Sequence, residues 1–210
     1  MKVLNLYGGI GGNAYLWPSD WEVTMVDSHP DVCAQYAHNL PHHTVIQADA
    51  HAYLLQHHTE FDLIWSSPPC PTHSRMAKGT RHKRRRYPDM SLYQEVLLLS
   101  HFFEGLWVVE NVVPFYDPLI EPSIRIGRHM FWSNFTIQPM EDVPHFTNEG
   151  KSAMLGTANA QGRQAMLDWL GLPPMLKNIY FQGSNDPGKA IRNAVHPSLG
   201  LHVVKGILPC

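Results

Sequence analysis

Val3-Leu4-Asn5-Leu6-Tyr7-Gly8-Gly9-Ile10-Gly11-Gly12 stands near the start of the chain and sets the reading of the fold. Its apolar first half reads as a short buried strand, and a glycine-rich turn follows at once. Such a turn lets backbone come close to a ligand and exposes the N-terminus of whatever helix follows. The glycine spacing is not the regular dinucleotide fingerprint, so by itself it is a weak signal. The next segments supply the context. Glu22-Val23-Thr24-Met25-Val26 is a second strand closed by Asp27, and 31–39 reads as a helix with Val32, Tyr36 and Leu40 on one face and Pro41 as its stop. Thr44-Val45-Ile46-Gln47-Ala48 is a third strand closed by Asp49, and Asp62-Leu63-Ile64-Trp65 a fourth, running into Ser66-Ser67-Pro68-Pro69-Cys70. Ser91 with Gln94 predicts a capping box. Leu92, Val96, Leu99, Phe102 and Phe103 then mark a helix that Gly105 ends. Leu106-Trp107-Val108-Val109 is a fifth strand, closed by Glu110-Asn111-Val112. Strands alternating with helices predict an α/β fold built on a doubly wound, mostly parallel sheet.

From Pro114 onward the elements shorten. Met130-Phe131-Trp132-Ser133-Asn134-Phe135 reads as one more strand, and 136–162, with weak periodicity, as an irregular lobe. A helix over 165–170 is stopped by Gly171 and Pro173, and 191–207 reads as a terminal helix with Pro197 near its first turn. The expected organisation is a core over 1–135, a small lobe over 136–162, and a segment over 163–210 that returns to the core.

A length of 210 residues with 44% hydrophobic and 16% charged side chains fits one globular domain with a small appendage. No apolar run approaches the roughly 18 residues of a membrane span. Met1-Lys2-Val3 leads straight into a strand, which argues against a secretory leader. Cys33, Cys70 and Cys210 form neither a metal-like spacing nor a paired framework, which fits a reducing, cytoplasmic setting. The 14 histidines include His42-His43 and His57-His58, but Pro41 breaks the helix that would align His38 with His42, so no metal is expected. The net charge of −2 hides an uneven distribution: Lys78, Arg81, Lys83, Arg84, Arg85 and Arg86 are six of the 16 Lys and Arg, with no acid among them. A solvated loop is the plain explanation; a phosphate-holding segment beside Cys70 is the functional one.

Two strand ends carry candidate chemistry. Paired prolines stiffen the loop that presents Cys70 at a strand's C-terminal end, where open α/β sheets place ligands. The alternative is a turn cysteine. Glu110 closes the fifth strand, so a thiol and a carboxylate can face one pocket. Asp27 suits ribose hydroxyls or, alternatively, a helix cap. With Asp49 and the glycine turn it points to an adenosine-containing cofactor.

At this point the chain resembles the cytosine-C5 DNA methyltransferases. Asn5 to Gly12 is similar to their cofactor loop, and Val26-Asp27 with Asp31, Tyr36, Asn39 and Pro41 to their second-strand region. Pro68-Pro69-Cys70 with Ser74 resembles the nucleophile motif, and Glu110-Asn111-Val112 the catalytic glutamate motif. Asp168-Trp169-Leu170-Gly171-Leu172-Pro173 and Ile191-Arg192-Asn193-Ala194-Val195-His196-Pro197-Ser198-Leu199 resemble the last blocks, and all occur in the family's order. The resemblance implies a Rossmann-like methyltransferase core, S-adenosyl-L-methionine as cofactor, and duplex DNA with one cytosine flipped out as partner, in a compact enzyme of the kind phages carry. It assigns Cys70, Glu110 and Arg128 to catalysis. It assigns Tyr7, Gly8, Gly9, Ile10, Gly11, Gly12, Asp27, Ser28, Asp49, Ala50, Pro68, Asn193, Ala194 and Val195 to the cofactor. Ser74, Arg75, Lys78, Arg81, Lys83, Arg84, Arg85 and Arg86 fall to the nucleic acid. Cys70 would add to C6 of cytosine, with a protonated Glu110 meeting N3, its proton favoured by desolvation at the strand end.

Two departures stand out. The family's Gln-x-Arg-x-Arg strand is replaced by Arg125-Ile126-Gly127-Arg128-His129-Met130-Phe131, which leaves His129 and Arg125 as alternatives to Arg128. Only 136–162 remains for target recognition, which implies a brief target or help from a second copy or an accessory protein. An RNA methyltransferase like the family's tRNA branch and a catalytically silent binding protein are the other readings. A thiol hydrolase is disfavoured, because no histidine pairs clearly with Cys70.

Overall fold

The computed structural model describes residues 1–70, 72–74, 87–147 and 156–208. Seven strands form one sheet: β1 (Lys2–Leu6), β2 (Glu22–Asp27), β3 (Thr44–Gln47), β4 (Leu63–Ser66), β5 (Leu106–Val112), β6 (Ile124–Ile126) and β7 (His129–Ser133), in the order β3-β2-β1-β4-β5-β7-β6. The first five are parallel, and β7 runs antiparallel to both β5 and β6. The order reverses at β1 and β4, whose C-terminal ends open the crevice where such sheets bind ligands. The expected α/β, mostly parallel sheet is therefore present.

Side-chain alternation divides the core into two layers. Val3, Met25, Leu63, Trp65, Val108 and Phe131 project to one face, with Tyr36 from α1 (Pro30–Asn39) and Leu199 and Val203 from the C-terminal helix. Leu4, Leu6, Val26, Ile64, Trp107 and Val109 project to the other, beneath α2 (Ala50–His57) and α3 (Ser91–Phe102). Trp65, Leu4, Leu6 and Ile64 are fully buried, and each of the three aliphatic side chains stabilises the fold by about 1.5–3 kcal/mol. A third cluster joins Ile10 and Val32 to Met166, Leu167 and Leu170 of α4 (Ala160–Leu170) and to Ile191 of α5 (Lys189–Asn193). No helix among the described residues is long and apolar enough to cross a membrane.

Local rules account for most helix ends. His29 caps α1 through Nδ1, which accepts from Asp31 N, with Pro30 in the first turn; Gly171 ends α4 at φ 66°. Four features differ from the sequence reading. The α2 helix lies where none was expected, its N-cap being Asp49, whose Oδ1 accepts from Ala52 N at 2.8 Å. The predicted capping box at Ser91 is absent: Met90 is the N-cap, and Asp89 Oδ1 accepts from Ser91 N at 3.0 Å. The single helix expected over 191–207 is two, because Pro197 holds His196 extended and begins α6 (Pro197–Val204) as a new helix. The strand expected over 130–135 starts at His129 and pairs with β6 across a turn at Gly127, φ 58°.

Candidate active site

The glycine turn crosses the C-terminal end of β1 and is held from below. Asn5 Oδ1 accepts from Asn13 Nδ2 at 2.8 Å, Asn5 Nδ2 donates to the Tyr36 hydroxyl at 3.2 Å, and Asn39 Nδ2 donates to Ile10 O at 2.8 Å. These side chains are buried, so each unmade bond would leave a desolvated polar group. The turn is thereby fixed before any ligand arrives. Tyr7, at φ 55°, opens it. Two glycines have specific reasons. At Gly9, φ 56°, nothing lies within 4 Å of where a Cβ would stand, which leaves a cradle at the crest of the turn. At Gly12 a Cβ would stand 2.3 Å from Val195 O, so its absence lets Ala194 and Val195 close against the turn. Sequence positions some 180 residues apart thus share one site. Gly8 and Ile10 are buried within the turn, Gly11 adopts φ 90°, and Asn193 is exposed at the end of α5.

Asp27 closes β2 beside this cradle. Its Oδ1 accepts from His29 N at 2.9 Å, so part of the carboxylate does local work at the head of α1. Burial raises its pKa, opposed by the backbone N–H groups of His29, Ser28 and Gly9. Ser28 is exposed next to it, and Asp49 is exposed and occupied as the α2 cap, with Ala50 buried behind it. The open space above Gly9, with the Asp27 carboxylate beside it, suits a group bearing ribose hydroxyls. Sequence reasoning missed the carboxylate below it: Glu95 of α3 is fully buried and accepts from the Tyr7 hydroxyl at 2.8 Å and from Ser66 Oγ at 2.5 Å, while His51 Nδ1 lies 3.0 Å away. Its only sequence signal is one acid among the apolar positions of α3. Burial and this carboxylate hold the Tyr7 hydroxyl far above its ordinary range.

The second half of the site lies between β4 and β5. Pro68 is buried, and its carbonyl accepts from Asn111 Nδ2 at 2.9 Å, which pins the proline pair to β5. Cys70 O accepts from the backbone N–H groups of His73 and Ser74, both at 3.0 Å. Ser74 bridges Pro114, and Phe115 N donates to His73 O. The Cys70 turn is therefore clipped at both ends to β5 and the segment after it. Burial pushes the Cys70 thiol up, the Glu110 charge pushes it further, and the Arg128 and Lys189 cations oppose them. The structure thus brings Cys70, Glu110 and Arg128 into one electrostatic neighbourhood, together with Lys189, a cation the sequence reading did not select. Lys189 Nζ stands 5.1 Å over the Phe181 ring.

Glu110 is buried, and its Oε1 lies 2.6 Å from His129 Nδ1. The expectation that burial protonates it is not met. Desolvation raises its pKa, but the His129 imidazole and its hydrogen bond, the Ser67 hydroxyl and the Arg128 charge outweigh it and hold the carboxyl below its usual value. Of the three alternatives on the hairpin, Arg125 is exposed and turns back to Gly127 O at 3.2 Å, whereas Arg128 and His129 reach the site. Arg75, Lys78, Arg81, Lys83, Arg84, Arg85 and Arg86 lie outside the described residues, as do Cys210 and part of the 136–162 lobe. No group of three or more His, Cys, Asp and Glu among the described residues is placed to hold a metal ion.

No protein-family model matches this chain, and no curated protein matches it. Solved structures do. A triple-substituted DNMT2 from Spodoptera frugiperda superposes with a TM-score of 0.56 at 14% identity, covering 97% of this chain and 98% of that one. The Entamoeba histolytica methyltransferase EhMeth superposes with a TM-score of 0.52 at 12% identity, covering 100% of this chain and 99% of that one. The chain shares the fold of these two methyltransferases. At these identities the likeness is one of architecture, and the chemistry has to be argued from the side chains themselves.

Proposed function

We propose that the protein is a DNA cytosine-5 methyltransferase that uses S-adenosyl-L-methionine. The observation that carries the reading is the placement of Cys70 and Glu110. Strand ends about forty residues apart in sequence put a stiffened thiol and a buried carboxylate in one charged neighbourhood, beside a glycine cradle suited to an adenosine. S-adenosyl-L-methionine would be held by the Gly8–Gly12 turn, Asp27 and the 193–195 segment, and would supply an electrophilic methyl group for C5 of the base.

The residues of the chain do the rest. Cytosine C5 is a weak nucleophile until a group adds at C6, and a thiolate both adds and leaves readily. At rest the thiol carries its proton and Glu110 does not, because burial and Glu110 disfavour the thiolate while hydrogen bonds favour the carboxylate. Attack then balances within the site. The sulfur–C6 bond forms as the C5–C6 double bond opens toward N3, and the thiol proton passes by way of Glu110 to N3. After C5 is methylated, water removes the C5 proton, the sulfur–C6 bond breaks, and N3 returns its proton through Glu110. C6 is inaccessible in a stacked duplex, so the base must be flipped out at a cost of a few kcal/mol.

Transfer of tritium from labelled S-adenosyl-L-methionine tests the reading. Duplex DNA should acquire label as 5-methylcytosine, read by bisulfite sequencing, and Cys70→Ala should abolish it. Labelling of tRNA alone would move the activity to RNA, and labelling of neither would remove the enzymatic reading.

A further inference from the structure

The β6–β7 hairpin places two side chains in series behind Glu110. Val112 and His129 are opposite one another on β5 and β7, so Glu110, two residues back on β5, is the diagonal neighbour of His129 on the same face. His129 Nδ1 lies 2.6 Å from Glu110 Oε1, with both side chains buried, and Arg128 Nε donates to His129 Nε2 at 3.2 Å. Arg128 is itself anchored, its Nη2 donating to Arg192 O at 2.9 Å. A guanidinium has only donors, so the Nε2 facing it bears no proton. The imidazole proton therefore sits on Nδ1 and is donated to Glu110, whose Oε1 is an acceptor. The chain of bonds has one direction: Arg128 to His129 to Glu110.

We propose that His129 is the positioning residue for Glu110, and that Arg128 acts by fixing the imidazole tautomer. The inference rests on the C5-transfer reading above and deepens it. His129 bonds Oε1, and together with the Ser67 hydroxyl it fixes the plane in which the carboxylate meets the N3 edge of a pyrimidine. Arg128 keeps the ring in the one tautomer that can donate to the carboxylate. This is the tautomer-setting arrangement by which an outer partner orients a functional histidine, used here to orient a carboxylate instead of a metal ligand.

Two substitutions separate this role from simple packing. The side-chain amide nitrogen of an asparagine would stand near the place of the imidazole Nδ1, so His129→Asn keeps a donor to Glu110, whereas His129→Ala removes it. With DNA carrying 5-fluorocytosine and the methyl donor, His129→Ala should form the covalent adduct about 10- to 100-fold more slowly, the usual effect of losing an orienting partner. His129→Asn should recover most of that rate, and both should bind S-adenosylhomocysteine like the unmodified protein. Independently of activity, ¹⁵N NMR of the ligand-free protein should show His129 protonated at Nδ1 and bare at Nε2. The reverse tautomer would overturn the proposal. So would His129→Ala at full rate, or His129→Asn slowed by 10-fold or more while melting at the unmodified temperature. If the unmodified protein traps neither DNA nor RNA, the C5-transfer reading fails; a normal adduct with an indifferent His129 fails only this inference.

Discussion

At the residue scale the candidate site is a contest between desolvation and charge around two groups. Burial and the Glu110 charge raise the Cys70 thiol, and Arg128 and Lys189 lower it. Alkylation of Cys70 should therefore accelerate with pH through a midpoint above the ordinary cysteine value. Glu110→Gln removes a charge that raises the thiol, so it should move that midpoint down; Arg128→Gln should move it up. Stopped-flow alkylation in a Cys33→Ser/Cys210→Ser background would read both shifts. Cys33, buried and pushed up to about 11, is the slow competitor that background removes. An unmoved midpoint in Glu110→Gln would mean that the thiol and the carboxylate act independently. The same substitution should slow methyl transfer by about 10²-fold or more, the scale of lost acid–base catalysis, with S-adenosylhomocysteine affinity nearly intact. Weak cofactor binding with normal turnover would instead move Glu110 to the cofactor site.

At the scale of elements, the glycine turn and the helices around it make distinct predictions. A Cβ on Gly12 would meet the Val195 carbonyl, so Gly12→Ala forces backbone apart and should cost about 1–3 kcal/mol of stability along with cofactor affinity. Gly9→Ala meets no atom and strains only a left-handed φ, at about 1–2 kcal/mol, yet its methyl would intrude on the cradle. Calorimetry of S-adenosylhomocysteine binding should show a loss in both; full affinity in Gly9→Ala would mean that the crest of the turn is not the cofactor's seat. The His51–Glu95 pair joins α2 to α3. Its hydrogen bond to Glu95 raises the His51 pKa against the opposing effect of burial. A raised histidine stabilises the folded state fully below its unfolded value of about 6.5 and ceases to as pH rises through the higher folded value. Thermal unfolding should accordingly lose midpoint across that window, and His51→Gln should flatten this part of the profile. An equal slope in both proteins would leave the pair without thermodynamic weight.

At the scale of the whole molecule, the division of labour between contact and readout is the open proposition. If Arg81, Arg84, Arg85 and Arg86 hold phosphates, neutralising them should weaken binding to every DNA sequence alike. Each lost contact should reduce the log–log salt slope by about 0.9. Substitutions within 136–162 should instead alter which cytosines are methylated, because sequence is read by side chains at base edges. Methylation maps of both sets decide it: a changed target after neutralising the arginines, with 136–162 indifferent, would place recognition in the basic run.

What the sequence by itself determined was the run of parallel strands, because five apolar segments each end in a turn or an acid and alternate with helical periodicity. It also singled out Cys70 and Glu110, since a double proline and a strand-terminal carboxylate are local features. The α2 helix escaped because Asp49, its cap, was read as a ligand group, and capping depends on a backbone N–H three residues on. The paired helices at the C-terminus escaped because the apolar pattern runs on through the break that Pro197 imposes. Tertiary structure alone decided that Val195 would close on Gly12, that Glu95 would be buried under Tyr7, and that Lys189 would approach Cys70. It also decided the charge on Glu110. Position in a strand fixes burial, which favours the neutral acid, but the side chains that reverse this preference come from β7, the hairpin turn and the β4 loop. Periodicity reports which residues leave water; it does not report which distant donors meet them there.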